Sequence, residues 1–225
     1  MKVRARLIET AVPDNPVGVV LVLHGGGNRP GQMMVSPTQL SVIRMIPIAR
    51  RIARQGAGRL AVFRLLNSVR GWDSTHTPVD DALWAMDRVR ERCGITLPTC
   101  LVGHSMGGRA AILSAVAPSV RSAVALAPWV YPNDGDFDAS GRRILIVHGS
   151  QDRVARPAGA ESVARGLRRT TDVGFISIDG GKHAMLRHHR KFDGYAADFA
   201  VSTLTGDPVQ GPVRQILDGQ TYLQV

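Results

Sequence analysis

Leu101-Val102-Gly103-His104-Ser105-Met106-Gly107-Gly108 decides the reading of this 225-residue chain. A short apolar run, residues 99–102, leads into a serine flanked by glycines, and an alanine-rich helical segment, 106–117, follows at once. G-x-S-x-G between a strand and a helix sets the serine on a sharp turn, where glycines let neighbouring backbone close in without a Cβ clash. Ser105 Oγ then stands above the end of a sheet. The amide of Met106, at the N-terminus of the helix, points toward negative charge that develops beside it.

Outward from this stretch, apolar runs alternate with amphipathic segments. Residues 17–23, VGVVLVL, suit a strand covered on both faces. Residues 60–66, 120–127, 143–148 and 173–178 repeat the pattern, and residues 2–10 alternate as an edge strand does. Helical segments fall between them. One surrounds Pro47 with Ile48, Ile52 and Ala53 on one face; the others cover 78–92, 157–168 and 187–204. In 78–92 the buried side is expected to carry Val79, Ala82, Leu83, Met86 and Val89, with Thr77 as N-cap, Pro78 at N1 and Asp80 at N3. This order predicts an α/β fold: a doubly wound, mostly parallel sheet with helices on both faces and right-handed crossovers. One domain is expected over 1–225. Its core is 17–204, and a Gly/Pro-rich tail, 205–225, either adds a short strand at 221–225 or stays mobile.

The formal net charge is +10, with arginine the dominant cation. Arg50, Arg51 and Arg54, then Arg88, Arg90 and Arg92, then Arg165, Arg168 and Arg169 fall on separate helices. Without a recognition helix or an aromatic platform for bases, they read as a solvated shell and not as a nucleic-acid surface. No run of 18 apolar residues marks a membrane span. MKVRARLIET lacks the apolar centre of a signal peptide, so a cytoplasmic location is expected. Cys93 and Cys100 have no metal-ligand spacing and read as reduced thiols.

Sites in open α/β sheets form outside the carboxyl ends of the strands. Residues 24–28 (His24 to Asn28), Ser105, Trp129, Asp152 and His183 each follow a strand, and so does a loop carrying Arg70, Trp72, Asp73 and His76. A serine hydroxyl is un-ionised at neutral pH. It needs a histidine to take its proton and a carboxylate to hold that histidine in the right tautomer. Asp152, just past the strand 143–148, is read as the acid, with Asp179 as a rival that shapes the turn. His183, in the glycine-containing loop after the last long strand, is read as the base. His24 and His148 are expected to bond loop backbone, His104 to face away from the serine, and His188 and His189 to lie on the surface. Gly26 and Gly27 are candidate oxyanion donors alongside Met106.

Together these motifs resemble the α/β-hydrolase-fold serine hydrolases over residues 17–204. The likeness rests on the HGGG-type loop at 24–27, GHSMGG at 103–108, Asp152 in GSQDRV, GGKH at 180–183, and the order Ser–Asp–His. It implies a small esterase of the dienelactone-hydrolase-like group, without a lid, since residues 127–142 are too few for helices over the site. Ser105 stands where dehalogenases of this fold carry Asp and dienelactone hydrolases proper carry Cys. Ala127-Pro128-Trp129 is similar to a stretch of polyester-hydrolase and cutinase-like enzymes, which implies that Trp129 lines the substrate cleft. The implied reaction is hydrolysis of a small-molecule carboxylic ester through an acyl-enzyme, with no metal and no cofactor. A thioesterase, peptidase or acyltransferase on the same triad is one alternative. A non-catalytic small-molecule-binding protein is another. Nothing in the sequence sets the oligomeric state.

Overall fold

The computed structural model describes residues 4–27, 35–71 and 76–225. In chain order the elements are β1 (Arg6–Ala11), β2 (Gly18–Leu23), α1 (Leu40–Ile43), α2 (Met45–Gln55), β3 (Leu60–Leu66), α3 (Thr77–Cys93), β4 (Thr99–His104) and α4 (Met106–Leu113). They continue with β5 (Val120–Leu126), β6 (Arg143–Gly149), α5 (Pro157–Leu167), β7 (Asp172–Ile178), α6 (His189–Thr205), α7 (Gly211–Leu217) and β8 (Tyr222–Gln224). Short 3₁₀ turns lie at Ser114–Val116 and Pro132–Gly135. Asn28, Trp72 and Asp73 lie outside the described residues.

The strands form one sheet in the order β1-β3-β2-β4-β5-β6-β7-β8. β1 runs antiparallel to β3 at one edge, and the other pairs are parallel. The continuous apolar runs are explained by cover on both faces. On β2, Val19, Leu21 and Leu23 join a core built with α3, α4 and α5, while Val20 and Val22 join one built with α2, α6 and α7. Burying one such side chain completely contributes about 1.5–3 kcal/mol. The chain leaves β2 in one direction, toward β3, and returns on the other side of β2 to form β4. That reversal opens a crevice at the carboxyl ends of β2 and β4, where ligands bind in such sheets. The loops carrying Gly26–Gly27 and Ser105 leave from these two ends.

Four details differ from the sequence reading. Thr77 is the first helical residue of α3, so the cap falls on His76, in the left-handed region at φ 58°. The buried face of α3 is Pro78, Asp81, Ala82, Ala85 and Val89. Leu83 lies off that face and is exposed, while Met86 is partly buried against the core. Of the two alternatives for the tail the strand is the one found, β8 pairing with β7, but the tail also holds a helix absent from that reading, α7, which packs Val213 and Ile216 onto the sheet. α1 precedes the helix around Pro47.

Neither cysteine is in a disulfide; Cys93 is partly exposed and Cys100 is buried on β4. Burial pushes the Cys100 thiol up to about 12, which removes its nucleophilic thiolate at neutral pH. Iodoacetamide at mildly alkaline pH should therefore alkylate Cys93 in the native protein and reach Cys100 only in denaturant, as read by peptide mass mapping. Equal native labelling of both would contradict this packing.

Candidate functional site

Ser105 sits between β4 and α4 with φ 56° and ψ −117°, a backbone conformation side-chain-bearing residues rarely adopt. The turn is clamped on three sides. Ser105 N–H donates to Leu126 O at 2.9 Å, and Ser105 O accepts from Arg109 N and from Trp129 N, both at 3.1 Å. Gly103 and Gly107 are required by close approach. A Cβ at Gly103 would lie 2.0 Å from Gly107 O, and one at Gly107 would lie 2.4 Å from Leu23 O.

Three predicted residues converge here. Ser105 Oγ and His183 Nε2 are 2.9 Å apart, and His183 Nδ1 lies 2.8 Å from Asp152 Oδ2. An ionised carboxylate can only accept, so Nδ1 carries the ring proton and Nε2 is left to accept from the serine hydroxyl. The loops holding Asp152 and His183 touch. Gly149 and Gly181 pack backbone to backbone, such that a Cβ on Gly149 would lie 2.3 Å from Gly181, and Gln151 N–H donates to Gly181 O at 2.9 Å. Asp152 itself is buried, and its Oδ1 accepts from the N–H groups of Val154 at 2.8 Å and Ala155 at 2.9 Å.

Burial pushes the Asp152 carboxyl up, but hydrogen bonds from His148, His183 and Ala155 and the attraction of His183 outweigh it. The carboxyl is held well below the ordinary carboxylate range. Because it titrates lower folded than unfolded, its contribution to stability is complete above the unfolded value of about 3.9 and is lost as pH falls below that. Asp152→Asn should therefore flatten the pH dependence of the urea midpoint below about pH 4.

The other histidines are framework. His24 Nδ1–H donates to Gly25 O at 2.6 Å and its Nε2 accepts from Asn67 N–H at 3.1 Å, which ties the Gly25–Gly27 turn to the end of β3. His148 Nε2 lies 2.9 Å from Ala155 O and 3.2 Å from Asp152 Oδ2. His104 reaches the loop of His183: its Nε2–H donates to His183 O at 2.9 Å, and the two rings lie 5.0 Å apart. Burial and the nearby His183 push the His104 ring down to about 3, so it is neutral at working pH. Asp179 accepts from Ser150 Oγ at 3.1 Å and takes no part in the cluster. His189 lies on the surface and His188 is half-buried.

Gly26, Gly27, Ser105, Met106, Trp129, Tyr131, Val154 and His183 line a cleft of ≈ 300 Å³. Met106 is the first residue of α4, so its amide has no intrahelical acceptor. The sequence reading missed what holds the far wall. Arg109 on α4 makes a buried, two-pronged ion pair with Asp134, Nε to Oδ2 at 2.7 Å and Nη2 to Oδ1 at 2.9 Å. Asp134 Oδ2 also accepts from Tyr131 N–H at 2.7 Å, and the guanidinium lies 4.6 Å over the Tyr131 ring. Tyr131 meets Trp129 edge to face at 5.0 Å. A charge on an alanine-rich helix reads as solvated, and only the topology brings the 132–135 turn to it.

A model of the alpha/beta hydrolase family matches residues 74–198. Among solved structures, XC6422 from Xanthomonas campestris, described as an a/b serine hydrolase without lid, superposes with a TM-score of 0.64 at 19% identity, over 91% of this chain and 90% of that one. Est1E from Butyrivibrio proteoclasticus gives 0.65 at 14% identity, over 88% and 93%. The hyperthermophilic esterase from Pyrobaculum calidifontis gives 0.66 at 16% identity, over 90% and 81%. At such identities the likeness is one of fold. A search of curated proteins found no match.

Breaking a buried ion pair strands the remaining charge, at a cost of roughly 3–5 kcal/mol. Arg109→Met should lower stability by about that amount in urea unfolding, and adding Asp134→Leu should recover part of it. A loss under about 1 kcal/mol in the single variant would show that the pair does not hold the wall.

Proposed function

The chain belongs to the alpha/beta hydrolase family, and from that premise we propose that it is a serine esterase, residues 1–225 acting as one catalytic domain on small carboxylic esters. The observation that carries this reading is the unbroken hydrogen-bond path Ser105 Oγ–His183–Asp152 opening into the cleft. Ser105 attacks the ester carbonyl while His183 Nε2 takes its proton. Met106 N–H, with Gly26 or Gly27, faces the oxyanion that forms. His183 returns the proton to the departing alcohol, and an acyl-Ser105 remains. Water, deprotonated by His183, then releases the acid and restores the serine. Asp152 keeps the imidazole in the accepting tautomer throughout. Trp129, Tyr131 and Val154 supply an apolar wall for one side of the ester.

His104 is a positioning residue in this scheme. It fixes the backbone of His183 without adding charge beside the imidazolium that forms in each half-reaction.

Hydrolysis of a p-nitrophenyl ester series tests the reading. The wild type should turn over short esters, Ser105→Ala should lose roughly 10⁵–10⁶-fold in kcat, and Asp152→Asn roughly 10³–10⁴-fold. His104→Leu should lose about 10- to 100-fold in kcat with KM within about twofold. His104→Gln, which keeps an N–H at the reach of Nε2, should recover most of it. No turnover of any ester by the wild type would overturn the esterase reading. Equal losses in the two His104 variants would reduce that residue to packing.

A further inference from the structure

The three most exposed large apolar side chains among the described residues are Leu40 (83%), Leu186 (69%) and Val154 (66%). All three lie on segments that follow strands at the carboxyl edge of the sheet: Leu40 opens α1 after β2, Val154 follows β6 and Leu186 follows β7. These segments are neighbours. The β6 and β7 loops touch at Gly149 and Gly181, and Arg44, just past α1, donates to Ala184 O at 3.4 Å and pairs with Asp193 at 2.6 Å. Val154 is also part of the cleft wall.

Cations flank two of these apolar tips in the chain, Arg153 beside Val154 and Arg187 beside Leu186. Arg153, Arg156, Lys182, Arg187 and Arg190 are exposed on the same two loops and the first turn of α6. Among the described residues none of the five has an ion-pair partner. Exposed arginines elsewhere are mixed: Arg92 pairs with Glu9, Arg169 with Asp136 and Arg214 with Asp218, while Arg50 and Arg54 on α2, Arg121 on β5 and Arg165 on α5 have no ion-pair partner among the described residues. The one exposed carboxylate within 150–157 and 179–190 is Asp179. Within these two segments five unpaired cations thus stand against one exposed carboxylate.

We propose that this rim docks on an anionic lipid surface, and, resting on the esterase reading, that the esters hydrolysed are presented there. Apolar tips set among cations match such a surface. The tips enter the boundary between headgroups and acyl chains while the cations meet the phosphates. A second copy of this chain fits the rim badly, since a twofold contact would press five cations against five. A soluble anionic ester would use the cations but leave three apolar side chains in water. Among the described residues no helix is long and apolar enough to cross a membrane, so the contact is peripheral.

Co-sedimentation with vesicles tests the docking without any need for turnover, so its failure and that of the esterase reading are separable. The wild type should sediment with vesicles of phosphatidylcholine mixed with phosphatidylglycerol, weakly with phosphatidylcholine alone, and less as salt is raised. Each neutralised cation should cost about fivefold in partitioning. Arg153→Gln with Arg187→Gln should therefore cost about 30-fold, and Leu186→Ser should weaken binding at every salt concentration, each with an unchanged thermal unfolding midpoint. Absence of wild-type binding to the anionic vesicles, or binding indifferent to the Arg153/Arg187 pair, would overturn the proposal. A wild-type dimer in sedimentation velocity that Leu186→Ser dissolves would assign the rim to a second copy and overturn it as well.

Discussion

Ser105 holds a backbone conformation that costs on the order of 1–3 kcal/mol for a residue with a side chain, and much of the surrounding structure exists to enforce it. β5 accepts its amide, α4 begins on its carbonyl, and the Trp129 amide closes on the same carbonyl. Glycine at 103 and 107 lets the strand, the helix and the end of β2 share one small volume. The elbow is therefore a consequence of the central strands being in register, and it persists only while they are. The bond from Trp129 to Ser105 also couples the cleft wall to the serine, so the shape of the pocket and the strain of the turn are set together.

Electrostatics around the elbow follow from burial. His24 and His104 are disfavoured as cations by desolvation, and each spends an N–H on a loop carbonyl. Neutral rings can be packed close to His183, which the proposed reaction charges, where a buried lysine or arginine would repel that charge. The opposite holds at Asp152, where several donors keep the carboxyl ionised despite its burial. Arg109 and Asp134 solve the remaining problem of a wall without a lid: one buried ion pair pins the 132–135 turn to α4 and carries the aromatic pair Trp129 and Tyr131 with it.

What could be read from the sequence was what strands impose. Runs such as 17–23 and 143–148 are apolar throughout because both faces of the sheet are covered, and functional side chains must then follow them at one edge. Hence Ser105, Asp152 and His183 could be expected to meet at that edge from their places after strands, and they do. What could not be read depended on three-dimensional context. Leu83 outranks Ala85 in hydrophobicity, yet Ala85 is buried and Leu83 is not, since the face of α3 turned to the core runs through Pro78, Ala82, Ala85 and Val89. α7 is seven residues long in a Gly/Pro-rich stretch and offers too little periodicity to reveal a helix. The partnership of Arg109 with Asp134 spans two elements whose approach is fixed by the crossover from β5. The tie of His104 to the His183 carbonyl likewise links positions far apart in the chain.

The central claim is that Ser105 is a nucleophile activated through His183. Intact-mass and peptide mapping after brief exposure to a fluorophosphonate tests it most directly, beside His183→Ala. The account predicts one adduct per chain, on Ser105, forming at least about 10³-fold more slowly in the variant. An adduct on another residue, or equal rates in the two proteins, would contradict it.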